Sequence, residues 1–259
     1  MSTALITGAS AGLGEKFAHL FARDGHDVIL VARNGARLEA IAEHLRHHKT
    51  KTFIVTEDLS KPGCAERLHE KVKALGLQVD FLVNNAGFGS TGAFLSLPLE
   101  REVEMVELNC VTLLELCHRF GQDMKARKSG RILNIASTAG FQPGPFMATY
   151  YATKAFVVSF SEALAHELKG SGVTVTCHCP GATATEFSKT AGTEKSRLFR
   201  RPGIAKADDV ALHAYQSMMD GEVVAVHGMM NWLAMQSVRL TPRTVLTSVV
   251  AAINSVPEE

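Results

Sequence analysis

The sequence predicts an α/β chain built as an open, doubly wound, seven-stranded parallel sheet with helices on both faces. Three observations lead there. Short β-branched runs alternate with longer stretches whose apolar residues fall three and four apart, the pattern of repeated βαβ units. A glycine-rich turn, Thr7-Gly8-Ala9-Ser10-Ala11-Gly12-Leu13-Gly14, joins the first such run to the first such stretch. At 259 residues and 46% apolar, the chain has enough material for a single large domain, residues 1–259, around one core.

The elements follow in order. Strands are expected at Thr3–Thr7, Asp27–Ala32, Thr52–Glu57, Phe81–Asn84, Arg131–Ile135, Val173–Cys179 and Val223–Val226. Helices are expected at Gly14–Arg23, Ala36–His47, Cys64–Leu75, Leu99–Lys128, Thr149–Lys169 and Lys206–Asp220. The stretch Gly181–Gly203 is polar and small, with Phe187 and Leu198-Phe199 as isolated apolar points. A loop this long inside a compact domain is usually functional, so residues 182–205 are expected to form a substrate lid. Beyond Gly228 the chain continues as a C-terminal helical extension, residues 229–259. There Thr241-Pro242 reads as an N-cap and first helical residue of a last helix to about Asn254.

Charge and cysteine content exclude several classes. Lys+Arg 27 against Asp+Glu 26 leaves no field to gather a polyanion, which argues against nucleic acid. Cys64, Cys110, Cys117, Cys177 and Cys179 lie in apolar segments and are odd in number, as reduced buried thiols would be. Strand alternation throws His178 away from Cys177 and Cys179, so no metal is expected there. No basic leader precedes the first strand and no apolar run is long enough to span a bilayer; a cytoplasmic location is the expectation.

The most informative residues are Ser137, Tyr150 and Lys154. On a helix, Tyr150 and Lys154 at i and i+4 share a face, so an ammonium can lie beside a phenol. Lowering a phenol from a pKa of about 10 by roughly 3 units needs about 4 kcal/mol of preferential phenolate stabilisation, which a buried cation can supply. A tyrosine so tuned can exchange protons at neutral pH.

The glycine turn has the spacing that lets backbone N–H groups approach a pyrophosphate at a helix N-terminus. At the end of the second strand, Ala32 stands where an acid would take the adenosine ribose, and Arg33 follows. This favours NADP(H) over NAD(H), with Arg37 one turn further along to assist.

Glycine turn, Asn84-Asn85-Ala86-Gly87, Ser137, Tyr150-x-x-x-Lys154 and Pro180-Gly181, in this order, strongly resemble the short-chain dehydrogenase/reductase family, from Thr3 to about Gly228. The resemblance implies a Rossmann-type fold and an oxidoreductase. In it Tyr150 is the general acid/base, and Ser137 holds the reacting oxygen. Lys154 depresses the tyrosine pKa and binds the nicotinamide ribose, while Asn109 positions a proton-relay water. It further implies cofactor contacts from Gly8, Ser10, Gly12, Leu13, Gly14 and Arg33. Asp58 and Leu59 would meet the adenine, and Asn85, Ala86 and Gly87 the adenosine ribose. Pro180, Gly181, Thr183 and Thr185 would hold the carboxamide and pyrophosphate, alongside Tyr150 and Lys154.

The implied substrate is a small-molecule carbonyl or alcohol. Phe88, Gly140–Met147 and Phe187 suggest an apolar pocket, while Lys189, Lys195, Arg197, Arg200 and Arg201 give the lid a basic bias. Tyr151 is expected to line or support that pocket. The family's usual homodimer or homotetramer would form through Leu99–Lys128 and Thr149–Lys169. The extension, with Met229, Met230, Trp232, Leu233 and Met235, is expected to cover the mouth of the site, or, in falling order of preference, to contact a partner subunit or touch a membrane surface. The alternative reading is a catalytically silent NADP(H)-binding regulator on the same fold, which would not need the four residues Asn109, Ser137, Tyr150 and Lys154 together.

Overall fold

The computed structural model describes residues 2–192 and 204–255. Strands β1 (Thr3–Thr7), β2 (Asp27–Ala32), β3 (Thr52–Thr56), β4 (Phe81–Asn84), β5 (Gly130–Ile135), β6 (Val173–Cys179) and β9 (Val224–Val226) form one parallel sheet in the order β3-β2-β1-β4-β5-β6-β9. Two further short strands, β7 (Thr183–Ala184) and β8 (Ala205–Lys206), pair with each other. All five residues of β1 are buried, as expected of a central strand covered on both faces.

Side-chain alternation divides the core in two. Leu5, Ile29, Leu82, Ile132 and Val175 face one layer with α3 (Cys64–Ala74), α5 (Leu113–Ala126) and α6 (Ala148–Glu167). Ala4, Ile6, Val28, Leu30 and Leu133 face the other, with α1 (Gly12–Arg23), α2 (Gly35–Leu45) and α8 (Ala207–Asp220). Strand order reverses between β1 and β4, which opens a crevice at the carboxyl ends of these strands.

The rod expected over Leu99–Lys128 is not a uniform helix. It comprises α4 (Leu99–Val106), a π-helical segment over Glu107–Thr112, and then α5. The wider turn turns Asn109 inward, where it is 2% exposed. The last helix also departs from expectation. Pro242 itself occupies the cap position of α10 (Arg243–Asn254), and the Thr241 hydroxyl donates back to the Ser237 carbonyl at 2.8 Å, closing α9 (Met229–Val238). In the expected lid, β7 leads into the short helix α7 (Phe187–Ala191). Lys195, Arg197, Leu198, Phe199, Arg200, Arg201 and the Lys189 side chain lie outside the described residues.

Candidate active site

The site begins at the glycine turn. Gly8 has φ +65°, and a Cβ there would come within 2.9 Å of the Ala86 Cα, so a side chain is excluded by conformation and by space. A Cβ on Gly14 would lie 2.2 Å from the Gly8 carbonyl oxygen, which is how α1 seats directly on the turn. The N-cap of α1 is Ala11, whose methyl cannot accept from the first-turn N–H groups, leaving them available to an anion. The turn is braced from β4. Asn85 Nδ2 donates to the Thr7 carbonyl at 2.9 Å and to that of Gly8 at 3.3 Å, while the Thr7 hydroxyl accepts from the backbone N–H of Asn85 and of Ala86, both at 3.0 Å.

At the far end of the turn the two arginines of the sequence reading take different places. Arg33 is exposed at the end of β2 and lines the cleft. Arg37 instead donates from Nε to the Ser10 carbonyl at 3.1 Å and lies 3.5 Å from Glu15, so it braces the turn. Asp58 lies below the usual carboxylate range because its burial is outweighed by hydrogen bonds from Ser60 and by the Arg33 charge.

At the other end stand Ser137, Tyr150 and Lys154. Ser137 follows β5, and its Oγ accepts from the Ala139 N–H at 3.1 Å and meets the Pro180 carbonyl at 3.4 Å. It stands close enough to the Tyr150 phenol to favour its ionised form. Lys154 Nζ donates to the Ile135 carbonyl at 2.8 Å and lies 5.8 Å from the centroid of the Tyr150 ring. Asn109 lies behind them. Its Nδ2 donates to the Phe88 carbonyl at 3.0 Å and to Thr153 Oγ1 at 3.1 Å, and its Oδ1 accepts from the Phe88 N–H at 3.2 Å. A Cβ on Gly87 would sit 3.0 Å from Asn109 Oδ1 and 3.7 Å from Lys154 Nζ, so these three residues converge.

The expected acidification of Tyr150 by Lys154 is corrected by this geometry. Burial raises the phenol above its ordinary pKa, and the Ser137 hydroxyl offsets only part of that. Burial also pushes the Lys154 ammonium down to about 8. One of its N–H groups goes to Ile135 and the nitrogen lies 5.8 Å from the Tyr150 ring centroid, so the direction of the phenol's shift is set by burial.

Both ends open into a single cleft of about 870 Å³, a volume suited to a small-molecule site. Gly8, Ser10, Gly12, Leu13, Arg33, Asp58, Leu59, Asn85, Ala86, Gly87, Ser137, Tyr150, Lys154, Pro180, Gly181, Thr183 and Thr185 all line it. Gly14 and Asn109 do not reach its wall; one packs beneath the turn and the other stands behind Gly87. Thr185 closes over the turn, with its Cβ 3.4 Å from where a Gly12 Cβ would be.

The apolar end is lined by Phe88, Met147, Tyr151 and Phe187 from the region expected, and by Met235, Val238, Leu246 and Val250 of α9 and α10. The extension therefore contributes part of the cleft wall. Of the extension residues expected there, Met235 lines the cleft, whereas Met229, Met230, Trp232 and Leu233 are exposed and do not. Sequence reasoning missed Val238, Leu246 and Val250, although Leu246 and Val250 show helical i, i+4 spacing. It also missed Thr7, a strand residue indistinguishable in sequence from any other β-branched one.

Elsewhere, Cys177 and Cys179 lie 3.8 Å apart on one face of β6, and His178 projects to the other, its Nε2 3.0 Å from His213 Nδ1. Among the described residues no group of three or more His, Cys, Asp or Glu is arranged to hold a metal ion.

A parallel sheet with this strand order, a glycine turn at its switch point and a Ser-Tyr-Lys cluster in the same cleft define a nucleotide-dependent oxidoreductase of the Rossmann type. The family model for short chain dehydrogenase matches residues 2–196, and the chain belongs to that family.

Among curated relatives, the oxidoreductase YvrD of Bacillus subtilis is 37% identical over 182 residues, covering 70% of this chain and 68% of that protein. A very-long-chain 3-oxoacyl-CoA reductase of Pyricularia oryzae is 37% identical over 180 residues, which is 67% of this chain but only 54% of the relative. Among solved structures, a short-chain dehydrogenase from Sphingobium yanoikuyae in complex with NADPH superposes with a TM-score of 0.83 at 33% identity, covering 93% of this chain and 94% of the other. A bulky-bulky ketone specific alcohol dehydrogenase from Comamonas testosteroni gives 0.79 at 29% identity, over 93% and 92% of the two chains.

Proposed function

We propose that this oxidoreductase transfers a hydride between NADP(H) and a hydrophobic ketone or secondary alcohol, with Tyr150 as general acid/base. One observation carries the reading: Tyr150, Ser137 and Lys154 line the same cleft as the glycine turn.

The cleft fits a dinucleotide. The side-chain-free wall at Gly8 and the uncapped first turn of α1 suit a pyrophosphate. Arg33, with no acid at position 32, suits a 2′-phosphate. Asp58, Leu59 and Asn85–Gly87 would flank the adenosine, and Pro180, Gly181, Thr183 and Thr185 the nicotinamide side. When bound, the nicotinamide would supply the hydride in reduction and accept it in oxidation. The chain's own residues do the rest. Ser137 donates to the substrate oxygen and Tyr150 delivers or removes its proton, together stabilising charge as it develops there. Lys154 holds the floor of the site and binds ribose hydroxyls, and Asn109 keeps the Gly87–Phe88 backbone in place beside it.

Phe88, Met147, Phe187, Leu246 and Val250 favour a bulky apolar substrate. Two similar proteins point the same way: the Comamonas enzyme named above for bulky ketones, and a 7beta-hydroxysteroid dehydrogenase of Collinsella aerofaciens, 32% identical over 182 residues. Assembly through α4–α5 and α6 is part of the proposal, supported by the exposed Val103, Val106, Val111, Leu114 and Phe156 on these helices. Among the described residues no helix is long and apolar enough to cross a membrane.

The test is NADPH consumption against a panel of ketones and aldehydes, run on the wild type and Tyr150→Phe. The variant is expected to lose at least about 10³-fold in turnover, the upper part of the range for a positioned proton donor, with its NADPH Kd little changed. Undiminished turnover in the variant would refute the role of Tyr150.

A further inference from the structure

Tyr151 stands between the reacting centre and α10. Its ring meets that of Tyr150 edge-on, centroids 6.2 Å apart, and lies so close over Gly144 that a Cβ there would come within 2.2 Å of it. The Tyr151 hydroxyl donates to Asn254 Oδ1 at 3.1 Å. Asn254 is the last residue of α10, is 1% exposed, and donates in turn from Nδ2 to the Pro145 carbonyl at 3.0 Å. Its amide therefore supplies both an acceptor and a donor at one point, which an ionised Asp or a Leu cannot do. Leu246 and Val250, on the preceding turns of α10, pack in one apolar cluster with Met147, Tyr150 and Tyr151. Leu246, Val249, Val250 and Ile253 also line the cleft.

We propose that α10 is the wall of an apolar subsite for the larger substituent of the substrate ketone, and that Asn254, acting through Tyr151, is the positioning residue that sets this wall against Tyr150. The proposal rests on the carbonyl-reductase reading of the same cleft. A helix pinned at its end by buried hydrogen bonds presents a preformed apolar surface, so a bulky group binds without the cost of ordering the wall. A small ketone reaches Tyr150 and Ser137 without touching α10, and so is less sensitive to that order.

The experiment compares wild type, Asn254→Ala and Tyr151→Phe, using 1-tetralone and cyclopentanone as probes. Turnover is followed with NADPH, and 1-tetralone binding is followed by calorimetry on the NADP⁺ complex, where ketone and oxidised cofactor cannot react. Asn254→Ala is expected to raise KM and Kd for 1-tetralone by about tenfold, with a much smaller change in kcat and in the cyclopentanone KM. Tyr151→Phe, which keeps the ring, should move them the same way by a smaller factor, and it decides the matter if the alanine variant fails to fold. Equal losses for both ketones, a fall confined to kcat, or unchanged 1-tetralone binding would overturn the proposal, as would a wild type that binds no 1-tetralone. A wild type that binds 1-tetralone yet turns over no ketone would instead refute the reductase reading, and the subsite would then stand or fall on the binding of the variants.

Discussion

Lys154 Nζ is anchored by the Ile135 carbonyl oxygen, 2.8 Å away at the carboxyl end of β5. The lysine is buried to 6% exposure, and that burial pushes its ammonium down to about 8 from 10.5. Its effect on stability has a definite sign. Between those two values the unfolded chain binds more protons than the folded one, so this group makes the protein more stable as pH rises. From about pH 8 to 9.5 the gain is roughly 1–2 kcal/mol. The gain should appear as a rising urea midpoint for wild type relative to Lys154→Met; parallel curves for the two proteins would refute it.

Tyr150 shifts in the opposite sense. Burial raises its pKa, and the Ser137 hydroxyl only moderates the rise, so the phenol keeps its proton through neutral pH. Under the proposed mechanism ketone reduction should be nearly flat from roughly pH 6 to 8, whereas alcohol oxidation, which needs the phenolate, should rise with pH and not level off below about pH 10. Steady-state kcat profiles in both directions check this.

Arg33 is exposed on the cleft wall next to Ala32, which carries no charge to repel a phosphate. Arg33→Ala should weaken NADPH binding by about 10- to 100-fold, the loss of a charge-assisted contact, and NADH binding by less than about twofold. Fluorescence titration with each cofactor measures the difference, and equal losses would discard the phosphate assignment.

Gly14 leaves no room for a methyl group, since the nearest atom to its Cβ position is a backbone oxygen at 2.2 Å. Gly14→Ala must push α1 off the turn. A loss of about 2–3 kcal/mol is expected, seen as a fall in Tm of roughly 4–12 °C. NADPH affinity should fall with it, because the displaced helix carries the first-turn N–H groups.

The parts readable from sequence were those written in local pattern. The β1 run, the glycine turn and the Tyr150/Lys154 spacing each specify their conformation within a few residues. The π turn at Glu107–Thr112 was not readable, because apolar spacing on both sides fits an ordinary helix and one extra residue per turn leaves no compositional mark. The Tyr151–Asn254 bond spans 103 positions and depends on where α10 docks. The direction of the Tyr150 shift is unreadable from sequence for a related reason. Spacing brings an ammonium near a phenol, but only the packed structure reveals that both are buried and that the ammonium has another partner.

Beneath the cleft, Asn84 Nδ2 donates to Asn134 Oδ1 at 2.9 Å, and Asn134 Nδ2 donates to the Ser161 hydroxyl at 2.9 Å. Asn84 and Asn134 are direct partners in the pairing of β4 with β5. If β5 slipped by one position, the Asn134 amide would turn to the opposite face and three buried polar groups would lose their partners together. Ser137 lies three residues beyond Asn134 on the same run of chain, and a slip of one residue would carry it about 3.3 Å along the sheet. The two asparagines therefore act as a registration pin, holding a hydroxyl they never touch at a fixed place along the strand axis.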